Sequence, residues 1–90
     1  MKTIYKYNLR ISDSQYIDLP INSEILSVKN QGDNLCLWAL VDTDEDSNTT
    51  YEIEIFGTGN EIYDNTTFRE FIDTCVMPNG LVLHLFKRIV

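Results

Sequence analysis

The sequence predicts an all-β protein, a small antiparallel sandwich or barrel of about seven strands with at most one short helix. Three observations carry that reading. Asn34-Leu-Cys-Leu-Trp-Ala-Leu-Val-Asp42 is apolar on both alternating faces, with Leu35, Leu37, Ala39 and Val41 on one and Cys36, Trp38 and Leu40 on the other. Such a run is a strand covered on two sides. Strand-like runs recur every eight to twelve residues or so, the spacing of a sandwich or barrel. Pro78-Asn79-Gly80, set between two apolar runs, is a strong hairpin signal.

The elements follow in order. Residues 3–11 alternate Tyr5, Tyr7, Leu9 and Ile11 with Lys6, Asn8 and Arg10, a strand with one buried and one wet face. Ser12-Asp13-Ser14 makes a turn, and Gln15–Leu19 is a short second strand stopped by Pro20, which cannot donate to a ladder. Glu24–Asn30, carrying Ile25, Leu26 and Val28, is the third. Gln31-Gly32-Asp33-Asn34 turns the chain into the fourth, Leu35–Val41, because Gly and Asn tolerate positive φ. A polar loop over Asp42–Thr49 leads to Thr50–Phe56, where Tyr51, Ile53 and Ile55 alternate with Glu52 and Glu54. Gly57-Thr58-Gly59-Asn60 breaks that strand, and residues 60–67 form the longest irregular segment. Phe68–Met77 is ambiguous: Phe68, Phe71, Ile72 and Cys75 have helical spacing, while Thr, Cys and Val near its end favour a strand. Leu81–Phe86, apolar on both faces, is the last strand, with Lys87-Arg88 as its charged end.

Ninety residues, 43% of them hydrophobic, make one domain with one core. No run approaches the roughly 20 apolar residues of a membrane span, and residues 1–7 hold no apolar signal-peptide core. A cytoplasmic protein without a membrane partner is expected. In that compartment Cys36 and Cys75 are buried thiols rather than a disulfide. Asn48-Thr49-Thr50 and Asn65-Thr66-Thr67 match the glycosylation pattern but are read as plain loop residues. Fourteen acids against seven bases give a net charge of −7. That balance disfavours binding to a nucleic-acid backbone, which needs a basic surface to release counterions.

Candidate sites are few. Asp42-Thr43-Asp44-Glu45-Asp46 opens like a calcium loop, whose alternate carboxylates converge on a hard cation. The continuation fails, with Ser47 at the glycine place and Ile53 where the bidentate glutamate belongs. No metal site is expected. Phe56-Gly57-Thr58-Gly59-Asn60 can curl backbone N–H groups round an anion but lacks the dinucleotide fingerprint, since Ile62 replaces its third glycine. His84 lies on an apolar strand face without a nucleophile motif, and neither cysteine has an electropositive setting. Lys2, Lys6 and Arg10 share one face of the first strand, a stripe suited to an anionic ligand or acidic partner, or to cross-strand pairing with acids such as Glu52 and Glu54 if those strands are neighbours. Lys2, Lys6, Arg10, Thr58 and Asn60 are therefore the candidate ligand-binding set. Trp38, Leu40, Val82, His84 and Phe86, on second faces of the two-faced strands, are the candidate interface set, with a second copy of the chain as one possible cover.

Lys2-Thr-Ile-Tyr-Lys-Tyr7, Glu24-Ile-Leu-Ser-Val28, Leu35-Cys-Leu-Trp-Ala-Leu-Val-Asp42, Phe56-Gly-Thr-Gly59 and Leu81-Val-Leu-His-Leu-Phe86 occur in this order nearly end to end. In them the chain resembles a family of short uncharacterised proteins encoded by bacteria and their tailed phages. Trp38–Asp42 and Phe56–Gly59 are the most distinctive segments. Members commonly follow the second with His-Pro, whereas Asn60-Glu61 stand here. The family is one of unknown function, so the resemblance brings no catalytic residues or cofactor. It implies a phage or prophage accessory protein inside a bacterial cell, of the kind that counters host defences by capping a host protein or sequestering a nucleotide signal. The expectation is a non-catalytic binding protein that self-associates. A structural virion component, or a metal-dependent phosphoesterase using Asp42, Asp44 and Asp46, is the alternative.

Overall fold

The computed structural model describes residues 1–63 and 68–90. It contains seven strands: β1 Lys2–Leu9, β2 Ser14–Pro20, β3 Glu24–Gln31, β4 Asn34–Asp42, β5 Asn48–Gly57, β6 Glu70–Val76 and β7 Val82–Ile89. A three-stranded sheet runs β1-β4-β3 and a four-stranded sheet runs β2-β5-β7-β6. Each of these pairings is antiparallel, and no helix occurs among the described residues. The fold is an all-β sandwich. Its thinnest extent is 15 Å, as expected of two layers about 10 Å apart.

The core lies between the sheets. β4, central in its sheet, sends Leu35, Leu37, Ala39 and Val41 inward, all essentially inaccessible, onto Ile53, Ile55, Leu83 and Leu85 of the other layer. Among the described residues no second layer lies above its outer face. Cys36 is buried there and donates to Asn8 Oδ1 at 3.5 Å, while Trp38 and Leu40 stay half-buried.

Turn chemistry sets the hairpins. Gly32 has φ of +63° between Gln31 and Asn34, so two residues join β3 to β4. Between β6 and β7, Gly80 N–H donates to the Met77 carbonyl and Met77 N–H to the Leu81 carbonyl, both at 2.8 Å. Gly80 itself has φ of +86°. This three-residue loop, a turn closed by a left-handed glycine, starts with Pro78 at the position its fixed φ suits.

The two sides of the sandwich are closed differently. On one, the edge of β3 meets the edge of β6, and side chains replace a backbone ladder. Val28 N–H donates to Asp73 Oδ2 at 3.3 Å, the Cys75 thiol donates to the Val28 carbonyl at 2.9 Å, and Lys29 Nζ donates to Asp73 Oδ1 at 2.8 Å. Burial pushes the Asp73 carboxyl up, but the Lys29 ammonium and the Val28 and Thr74 amides overrule it and hold the group below its ordinary value. Burial and the neighbouring Asp73 charge raise the Cys75 thiol, which favours its protonated form. On the other side the β1–β2 corner is tied by a side chain. There the buried Gln15 amide accepts from Arg10 N–H at 3.1 Å and donates to the Arg10 carbonyl at 2.7 Å, as a strand would.

Several boundaries differ from the sequence reading. β1 ends at Leu9, leaving Arg10 and Ile11 outside the strand, and Tyr5 and Ile11 are exposed. Alternation marked them as buried, but the opposing sheet does not reach over them. Phe68–Met77 contributes a strand, with a bulge between Phe71 and Asp73. The extra residue breaks the period of two, which is why its apolar positions imitate a helix. β7 starts at Val82 and includes Lys87 and Arg88, and Asn48–Thr50 begins β5 rather than belonging to a loop. Residues 60–63 are irregular; Asn65-Thr66-Thr67 and the rest of that segment to residue 67 lie outside the described residues.

Candidate functional site: the outer face of the three-stranded sheet

The β1–β4 register sets Lys2 opposite Asp42, Ile4 opposite Leu40, Lys6 opposite Trp38 and Asn8 opposite Cys36. Residues directly opposite share a face, so all eight side chains lie on the outer surface of the sheet. From β3, Glu24 adjoins Leu40, Ser27 adjoins Trp38 and Lys29 adjoins Cys36. The result is an apolar strip of Ile4, Leu40 and Trp38 with Lys2 and Lys6 along its β1 border. Ile4 is 56% exposed. Lys6 Nζ donates to Gln31 Oε1 at 2.9 Å, so its charge meets a neutral amide.

The candidate ligand set is not brought together. Lys2 and Lys6 lie on this face, and Arg10 follows the far end of β1, about 27 Å from Lys2 at strand rise. Thr58 and Asn60 belong to the turn after β5. They line a cavity of about 440 Å³ with Ser12, Asp13 and Leu83, which none of the three bases lines and to which Asp13 adds a carboxylate. Both residues have local tasks. Thr58 Oγ1 is 2.7 Å from His84 Nε2. Asn60 N–H donates to the Gly57 carbonyl at 3.0 Å, with Gly59 at φ of +85° between them. The Asn60 amide also packs over Gly57, where a Cβ would come within 3.1 Å of its nitrogen. The Phe56–Gly59 segment ends a strand in a glycine-dependent turn.

The condition for pairing the basic stripe with Glu52 and Glu54, that their strands be neighbours, is not met. β1 neighbours β4, not β5. Glu52 accepts from Ser14 Oγ at 2.6 Å and Arg88 Nε at 2.7 Å, which hold its carboxyl below the ordinary range. Glu54 is gripped through both oxygens by Arg69, at 3.0 and 3.2 Å.

The interface set divides between opposite surfaces. Trp38 and Leu40 are on the outer face just described, whereas Val82, His84 and Phe86 are on the outer face of the four-stranded sheet. Phe86 sits between Phe56 and Phe71, with ring centroids 5.8 and 5.5 Å away. His84 also reaches Thr74 Oγ1 through Nδ1 at 3.0 Å. Arg69 lies over Phe56, 5.5 Å from the ring centroid, and its side chain is only 9% exposed. The chain thus covers much of the second face of β7 itself. Sequence reasoning missed Arg69 and Phe71; the outward Glu52/Glu54 alternation was the only trace of their partners.

In the acidic loop, Asp42 Oδ1 accepts from Asp44 N–H at 3.0 Å and from the Met1 ammonium at 3.1 Å, and Asp44 contacts the same ammonium. These bonds lower the Asp42 carboxyl. Among the described residues no three His, Cys, Asp or Glu side chains gather as a metal-holding group.

A model for a domain of unknown function, DUF7352, matches residues 1–90. The chain belongs to that family. No curated protein and no solved structure matches it. DUF7352 membership assigns no residue a role, so the reading of the site rests on its geometry. Of the two distinctive segments, Trp38–Asp42 crosses the outer face of the three-stranded sheet, and Phe56–Gly59 builds the turn against His84.

Proposed function

We propose that this chain is a non-catalytic binding protein that docks a protein partner on the outer face of its three-stranded sheet. In the setting its likeness implies, it is a phage or prophage accessory protein that caps a host protein in the bacterial cytoplasm. The observation that carries the reading is the strip of Ile4, Leu40 and Trp38 beside Lys2 and Lys6. An aromatic anchor on a flat, partly apolar sheet with a charged border is how binding surfaces are built. The nucleotide-sequestering version has less support, since Thr58 and Asn60 stand apart from the bases. Self-association through the same face also has less, because every copy presents the same lysines along that border.

The test compares affinity-tagged wild type with Trp38→Ser in the bacterial host. One host protein is expected to be retained by wild type, lost with the variant, and to re-form a stoichiometric complex when both components are purified. Equal retention by the two chains, or a nucleotide that raises the melting temperature of the purified protein, would overturn the reading.

A further inference from the structure

We infer that the free edge of β1 accepts an added β-strand from the partner, an extended acidic segment with carboxylates four residues apart and an apolar residue midway. The inference rests on the binding reading above and names the chemistry of the partner.

Among the described residues β1 lies at the edge of its sheet and pairs with β4 alone. In an antiparallel ladder, alternate residues turn their backbone groups towards one neighbour and the rest away from it. Thr43 N–H donates to the Met1 carbonyl at 2.8 Å, which sets the phase. Met1, Thr3, Tyr5 and Tyr7 bond β4, and Lys2, Ile4, Lys6 and Asn8 direct their N–H and C=O groups outward. These four residues also place their side chains on the outer face. An incoming strand that bonds them sets its own side chains about 5 Å from Lys2, Ile4 and Lys6.

Charge selects the occupant. Lys2–Leu9 contains no acid in a chain whose net charge is −7. Among the described residues Lys29, Arg69 and Arg88 pair with acids elsewhere on the surface and Lys2 stands opposite Asp42, while Lys6 meets an amide and is the base whose charge an incoming carboxylate would neutralise. Edge lysines oppose pairing with a second, equally basic β1. They favour a strand with carboxylates opposite Lys2 and Lys6 and an aliphatic residue opposite Ile4. Strand addition of this kind takes affinity from main-chain bonds and specificity from alternate side chains.

The probe is the capped peptide Thr-Glu-Thr-Val-Thr-Glu-Thr, titrated into the isotope-labelled full chain beside its counterpart with Lys for Glu. The acidic peptide is expected to bind at least tenfold more tightly. Amide exchange should slow at Ile4, Lys6 and Asn8 but not at Tyr5 and Tyr7, which β4 already holds. Lys6→Glu is expected to invert the preference. Ile4→Pro removes an outward N–H while sparing the β1–β4 ladder, and it is expected to abolish binding. Should that variant fail to fold, N-methylation of the peptide's Glu and Val amides removes the ladder bonds donated in the other direction, to the β1 carbonyls, and is expected to do the same. Equal affinity for the two peptides, or undiminished binding after Ile4→Pro or N-methylation, overturns strand addition. If the Trp38-dependent complex persists when strand addition is overturned, only this inference falls; loss of that complex defeats the binding reading itself.

Discussion

Asp73→Ala tests how the β3–β6 seam holds the sandwich closed. The substitution deletes the acceptor for Val28 N–H and leaves that partly buried donor without a partner, at about 1–3 kcal/mol. It also deletes the ion pair with Lys29, which is more than half exposed and therefore adds little. The loss is about 1–3 kcal/mol, or a fall in Tm of about 4–24 °C for a domain of this size. Asp73→Asn keeps an oxygen for the Val28 amide and loses only the charge, so about 1 kcal/mol is expected. Lys29→Ala should lie below both. Urea unfolding followed by Trp38 fluorescence ranks the three, and hydrogen exchange at the Val28 amide reports the seam directly. The reasoning fails if Asp73→Ala lies within about 0.5 kcal/mol of wild type. It fails also if Asn and Ala cost the same, because the charge and not the backbone bond would then be what matters.

Asp73 and Glu52 have carboxyls held below their ordinary values, so their contribution is full above the unfolded values near 4 and is lost as pH falls through the folded ones. The urea midpoint should hold steady from about pH 6 to 5 and decline below about 4, with a smaller decline in Asp73→Asn. Gly80→Ala forces a side chain into the left-handed region at φ of +86° and should cost about 1–2 kcal/mol in the same unfolding assay. Leu37→Ala, on the inaccessible face of β4, should cost about 2–5 kcal/mol. Leu40→Ala, on the half-buried face of the same strand, should cost clearly less, so equal losses would contradict the assignment of inner and outer faces.

The strands were legible wherever burial alternates with the pleat. Ile53 and Ile55 read correctly because a second sheet lies over them, and Gly32 and Gly80 marked their hairpins because those turns demand positive φ. Tyr5 and Ile11 carry the same alternation but are exposed; a period shows which residues share a face, not whether anything covers it. Ile72 falls at the bulge of β6, and one extra residue was enough to disguise a strand as a helix. The seam left no pattern, since Asp73 and Cys75 act as single side chains on the backbone of Val28, far away in the chain. The candidate site was half legible. Parity placed Lys2 and Lys6 on one face of β1 and Trp38 and Leu40 on one face of β4, but only the register joins those faces.

The sandwich has four strand edges, and how each is treated separates stability from recognition. β3 and β6 neutralise one another, both bulged and joined through Asp73 and Cys75. β2 is short and ends in Pro20, which removes a donor from its outer rim. β1 has neither a bulge in its register with β4 nor a proline, and its free edge is guarded by lysine alone. Lysine is a conditional guard: it repels a like-charged strand, including another copy of β1, and attracts an acidic one. A bulge or proline would have closed the edge to every partner. Charge alone keeps it open to one class, so under the proposed strand addition the residues that oppose self-pairing would also select the partner.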